Sequence, residues 1–151
     1  MYTLGNGGSA ALAAHMTTEF VGRLSAGRER NSLSSVCLSS DPVALTALSN
    51  DYGFAAAHAR LLAGLARDGD VLVTFTTSGR SENLLNADRI AAERGLYRVV
   101  LVGAASSPLE SCDVVVRVSS HNPATIQEGH LLILHALVES TENTLSGGTN
   151  G

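Results

Sequence analysis

Tryptophan and lysine are missing altogether, and aromatic residues make up only 4% of the 151 residues. With so few flat side chains and no basic run on a chain of net charge −4, base stacking and tracking of a phosphate backbone are both excluded as general modes of binding, so no nucleic-acid partner is expected. No uninterrupted apolar run of about 18 residues is present and no signal peptide is visible, which leaves no membrane role and makes the cytoplasm the default location. The two cysteines, Cys37 and Cys112, stand in or beside apolar runs with no CxxC spacing and no neighbouring histidine. They are expected to be buried thiols in a reducing compartment.

What the chain does have is 44% hydrophobic content and 15 glycines. That suffices for one real core but not for two comfortable domains, so residues 1–145 are expected to form a single domain with a disordered tail at 146–151. Val71 to Phe75 is the clearest strand, a nearly continuous apolar and β-branched run of the kind buried on both faces of a parallel sheet. Tyr2 to Leu4, Leu33 to Leu38, Val99 to Val102 and Val114 to Val118 supply four more. Helices are expected at 9–24, from Asp41-Pro42 onward, at 54–66, at 82–94 and at 124–142, with a turn at Ser49 to Gly53 and a solvated turn at Arg28-Glu29-Arg30. Strands and helices in alternation predict an α/β fold, a doubly wound five-stranded parallel sheet flanked by helices.

Two loops at strand ends carry the chemistry. Gly5-Asn6-Gly7-Gly8-Ser9 opens straight into a helix, which places free N–H groups and the positive end of a helix dipole together, a setting that suits an anion. Thr76-Thr77-Ser78-Gly79-Arg80-Ser81 is built alike and adds four hydroxyls. In open parallel sheets ligands bind beyond the carboxyl ends of the strands, so both loops can address one crevice. Amides and hydroxyls at that density suit a phosphate monoester when no lysine is at hand. Gly5-x-Gly7-x-x-Ala10 also fits the loose dinucleotide fingerprint, but the acid that should end the second strand comes late, at Asp41, where it begins a helix.

His15 and Glu19 are four apart and share a helix face one turn deeper than the first loop. Gln127, Glu128, His130 and His135 form a second polar cluster on a helix otherwise too apolar to welcome them. Histidine and glutamate from one helix with histidine and glutamine from the other make an N/O donor set suited to zinc or another divalent ion. On local spacing His130 is the easier partner for Gln127, because His135 lies eight residues away, about 12 Å of helix rise.

The run Gly5-Asn6-Gly7-Gly8-Ser9-Ala10, His15, Glu19, Gly22-Arg23, then Asn50-Asp51-Tyr52-Gly53, Thr77-Ser78-Gly79, Ser81, Ile126-Gln127-Glu128 and His135 resembles the phosphoheptose isomerase family of SIS (sugar isomerase) domains, in order and with similar spacing. The resemblance implies a flavodoxin-like SIS fold, conversion of sedoheptulose 7-phosphate to an aldoheptose 7-phosphate, a homotetramer and one zinc ion per subunit. It implies metal ligands His15, Glu19, Gln127 and His135, preferring His135 to His130. It implies substrate contacts at Asn6, Gly7, Gly8, Ser9, Glu19, Arg23, Asn50, Asp51, Thr76, Thr77, Ser78, Ser81 and Gln127, with Glu19 as general base and His135 as its acid-base partner. A metal-bound carboxylate is a weaker base, so Glu19 is expected to ligate only loosely. The family carries a long helical segment before the first strand, whereas the sequence given starts almost at the glycine loop; Thr76 replaces a serine, and Arg80 replaces an asparagine. A non-catalytic SIS module that senses sugar phosphates or binds a protein is the alternative.

Overall fold

In the computed structural model, which describes residues 1–27, 29–105 and 107–147, the apolar runs become five strands. These are β1 (Tyr2–Gly5), β2 (Val36–Cys37), β3 (Val71–Phe75), β4 (Tyr97–Val102) and β5 (Val114–Arg117). They pair in parallel throughout, in the order β2-β1-β3-β4-β5. The helices are α1 (Gly8–Val21), α2 (Pro42–Tyr52), α3 (Phe54–Leu65), α4 (Glu82–Glu93) and α5 (Pro123–Gly147), with a 3₁₀ turn at Pro108–Ser111. The expected α/β doubly wound sheet is the fold observed.

Side chains alternate across a strand, so each strand feeds two cores. Leu4 and Leu72 pack with Leu62 of α3 and Leu84, Ala87 and Ala91 of α4. Val73, Phe75 and Leu101 turn the other way, onto Ala13 and Met16 of α1 and Leu134 and Val138 of α5. Helices α1 and α5 therefore share one face of the sheet, with α3 and α4 on the other.

Several boundaries differ from expectation, each for a local reason. Strand β2 is cut to two residues because the Leu33 N–H bonds the Phe20 carbonyl instead of a strand neighbour (3.0 Å). Asn50, Asp51 and Tyr52 continue α2, and the break falls at Gly53, whose φ of 81° ends the helix. Helix α5 passes Glu142 and runs through Ser146 to Gly147; residues 148–151 of the expected tail lie outside the described residues. Cys37 is buried but Cys112 is only half-buried. Its thiol donates to Asp88 Oδ1 (3.2 Å), and burial together with that carboxylate pushes its pKa up to about 12. Among the described residues no helix is long and apolar enough to cross a membrane.

The expected solvated turn is wrong at Arg30; Arg28 lies outside the described residues. Arg30 is half-buried and its Nε donates to the buried Glu142 Oε1 (3.0 Å), with side chains only 10% and 1% exposed. Its other nitrogens donate to the Phe20 carbonyl (2.9 Å) and the Glu19 carbonyl (2.7 Å). A cation thus meets the last carbonyls of α1, which lack helical partners and carry the negative end of the dipole. Removing Arg30 leaves the buried Glu142 carboxylate uncompensated, so Arg30→Met is expected to lower the unfolding free energy by about 3 kcal/mol, measured by urea denaturation.

Candidate active site

The chain leaves β1 through a turn with no room for a side chain at its first corner. A Cβ on Gly5 would lie 2.5 Å from the carbonyl carbon and oxygen of Ser9. Backbone bonds from Ser9 N to Asn6 O and from Ala10 N to Gly7 O, both 3.0 Å, close the turn. Gly7 caps α1 with no side-chain bond, and among the described residues the Gly7 and Gly8 N–H groups have no protein acceptor. They are free for an anion at the positive end of the helix.

The loop after β3 is partly self-braced. Thr76 Oγ1 accepts from Gly79 N (3.0 Å) and Ser78 Oγ from Arg80 N (3.3 Å). Ser81 stands at the start of α4 without capping it through its side chain, so among the described residues its hydroxyl and that of Thr77 stay uncommitted. Because β1 and β3 are neighbours while the chain winds outward from them in opposite directions, the two loops meet at the switch point of the sheet. Between them lies a cavity of about 60 Å³ lined by Asn6, Ser9, Thr76, Thr77, Ser78 and Ser81, among others. A second hollow of about 200 Å³ shares Thr77 and Ser78 and adds Ser120 and His121. Sequence reasoning missed His121, which is a lone imidazole with no spacing signal. Asp41 offers nothing to a ribose, since its carboxylate accepts from Ala44 N (2.9 Å) as the cap of α2.

The titratable residues gather elsewhere, in the groove between α1 and α5. His15 Nε2 lies 3.1 Å from Glu19 Oε1, with the two side chains 38% and 18% exposed. The His15 ring meets His135 edge-on, centroids 5.1 Å apart. Gln127 sits further up the groove: a Cβ on Gly8 would be 2.7 Å from both amide atoms of Gln127. The two helices thus run side by side, Gly8 against Gln127 and His15 against His135. Gln127 and His135 face successive levels of α1, about 10 Å of rise apart. His130 turns into the core, fully buried and edge-on to Phe75 at 6.1 Å, and burial holds its imidazole below the usual range. Other expected residues lie apart from both places. Arg23 pairs with Glu29, and Asn50 donates to Asp51 Oδ1 (2.9 Å) at the exposed end of α2; none of the three lines the two cavities.

Comparison with known proteins decides the family. A family model described as SIS domain matches residues 1–103. The phosphoheptose isomerase of Pelobacter propionicus is 42% identical over 146 residues, covering 96% of this chain and 76% of that protein. That of Nitratiruptor sp. is 46% identical over 134 residues, covering 88% and 71%. The solved phosphoheptose isomerase from Francisella tularensis superposes with a TM-score of 0.85 at 34% identity, covering 91% of this chain and 73% of that one. The chain belongs to the phosphoheptose isomerase family of SIS-domain proteins.

For a member of that family, the donor chemistry of the α1–α5 groove can be weighed against a metal. His15, Glu19 and His135 offer two imidazoles and a carboxylate from facing helices, a set that fits a catalytic zinc site. Among the described residues, however, no three His, Cys, Asp or Glu side chains are already gathered as a metal cage, and Gln127 lies against Gly8. Alanine at position 8 suits a helix start but its methyl must displace the tip of Gln127. Gly8→Ala is therefore expected to keep its melting temperature in a circular dichroism scan while losing about tenfold or more in phosphoheptose isomerase kcat/KM.

Proposed function

We propose that this chain is an aldose-ketose isomerase that converts sedoheptulose 7-phosphate to D-glycero-D-manno-heptose 7-phosphate through an enediol(ate). The observation that carries the reading is the spacing of two chemically different places along one helix. Amide and hydroxyl donors crowd the start of α1, and the His15 ring, which meets both Glu19 from the next turn and His135 from α5, stands two turns further on, about 10 Å of rise away. An extended seven-carbon sugar phosphate is of that length. Its phosphate would be held by Asn6, Gly7, Gly8, Ser9, Thr76, Thr77, Ser78 and Ser81, and its reacting carbons would reach the groove.

There Glu19 takes the proton from C1 of the ketose and returns it to C2, while His135 serves the two oxygens, giving one a proton as the other loses its own. Each positioned acid or base contributes about 10²–10⁴-fold. His15, Glu19 and His135 would hold a divalent ion, zinc by the nature of the donors, which Gln127 would join only by swinging its amide away from Gly8; such an ion when bound would steady negative charge developing on oxygen. The enzyme works as a homotetramer in the cytoplasm. Exposed Leu132 on α5 and Val21 on α1, 73% and 46% accessible, lend apolar surface to assembly, and a neighbouring subunit could bring Arg23, Asn50 or Asp51 to the site. The two free thiols suit a reducing compartment.

The test is incubation with sedoheptulose 7-phosphate, with and without chelator, and chromatographic resolution of the product. Formation of the aldoheptose phosphate, lost on chelation and restored by zinc, is expected. Thermal stabilisation by the sugar phosphate without turnover would show a sensor instead.

A further inference from the structure

One buried histidine takes no part in the chemistry above. His58, on the second turn of α3, is 2% exposed and meets Phe54 edge-on at 5.7 Å. Phenylalanine would fill that place without the cost of burying an imidazole. What the imidazole adds is two hydrogen-bonding atoms, and both lead to the first corner of the glycine loop.

Asn83, on the first turn of α4 and 3% exposed, stands between His58 and Asn6. Its Nδ2 donates to Asn6 Oδ1 (2.8 Å) and lies 3.1 Å from His58 Nδ1, while its Oδ1 accepts from Asn6 Nδ2 (3.0 Å). An amide group can be turned either way, and the pair Asn6–Asn83 is reciprocal, so the pair by itself does not choose. His58 chooses. With Nδ1 bare, only the NH₂ of Asn83 can face it, since two acceptors would repel. Asn83 Oδ1 must then face the NH₂ of Asn6, which leaves Asn6 one N–H and one carbonyl lone pair in fixed directions toward the crevice. The other ring nitrogen, Nε2, carries the proton and points toward Ser39 Oγ at 3.5 Å. Ser39 in turn donates to the Gly5 carbonyl (2.8 Å) and accepts from the Gly5 N–H (3.4 Å). Because the Ser39 proton goes to the Gly5 carbonyl, the ring proton sits on Nε2 and Nδ1 is left bare; burial, which holds the His58 pKa below its usual value, keeps the ring neutral.

We propose that His58 is a positioning residue for the sugar-phosphate site, setting through Asn83 the direction in which Asn6 presents its amide to the substrate. The inference rests on the reading that the crevice beside Asn6 binds a sugar phosphate. Because Asn6 would touch substrate in ground and transition state alike, its misdirection acts on KM and not on kcat.

The experiment measures kcat, KM for sedoheptulose 7-phosphate and melting temperature for the wild type, His58→Phe, His58→Asn, Asn83→Ala and the double variant H58F/N83A. Losing the direction of one neutral hydrogen bond predicts a KM about fivefold higher in H58F, with kcat within about twofold and no drop in melting temperature. In H58N an amide oxygen can stand where Nδ1 stood and restore KM. In the N83A background H58F adds nothing, because the relay is already cut. A wild-type KM in H58F overturns the proposal, as does an H58F effect that persists undiminished without Asn83. Should H58F not fold, N83A alone decides: a KM about fivefold higher supports the relay, and an unchanged KM overturns it. A wild type that binds but never turns over the substrate fails the proposed isomerisation alone; the comparison is then read in the dissociation constant, where about fivefold weaker binding by H58F supports the relay and unchanged binding overturns it.

Discussion

The bare Cα of Gly5 against the Ser9 carbonyl is the contact on which the rest of the structure depends. Any side chain there would meet backbone at 2.5 Å, and backbone cannot give way as a flexible side chain can. The turn it permits sends α1 straight back across the sheet. That direction does three things. It aims the free N–H groups of Gly7 and Gly8 at the space above β3, it lays Ala13 and Met16 on the sheet, and it carries His15 and Glu19 to the groove with α5.

The groove is held from its far end. Arg30 joins the Glu19 and Phe20 carbonyls to Glu142 on α5, so the helix bearing the proposed base and the helix bearing its partner imidazole are tied by a charge pair on a buried carboxylate as well as by apolar packing. At the near end, His58, Asn83 and Ser39 brace the glycine loop. The crevice and the groove are thus the two ends of one rigid element, which is a way to fix the distance between a phosphate grip and a pair of acid-base groups. Fixing that distance in advance is what makes positioning effective in catalysis.

How much of this was legible in the sequence depended on whether a signal was local. Strand β3 and both ligand loops follow from composition and order alone, because buried parallel strands are continuously apolar and glycine-rich turns admit few alternatives. His15 and Glu19 follow from helical spacing. The choice of His135 over His130 could not be made that way, since it depends on how α5 is rotated against the sheet; His130 ends in the core beside Phe75. Arg30 read as solvent-facing because its neighbours are polar, and only a carboxylate 112 residues later explains it. His58 sat in an alanine-rich helix with no spacing partner, and its role emerges when α3 meets α4. Arg23, Asn50 and Asp51 were marked by family pattern, and within one chain they remain apart from the crevice.

The central claim is that Glu19 moves a proton between adjacent carbons of a sugar whose phosphate is held at the other end of α1. Its most direct test is deuterium incorporation at the carbon beside the carbonyl of sedoheptulose 7-phosphate in heavy water, comparing wild type with Glu19→Gln. The account predicts exchange by the wild type and loss of it in a folded Glu19→Gln protein that still binds the sugar phosphate. Exchange at the wild-type rate in that variant would contradict it.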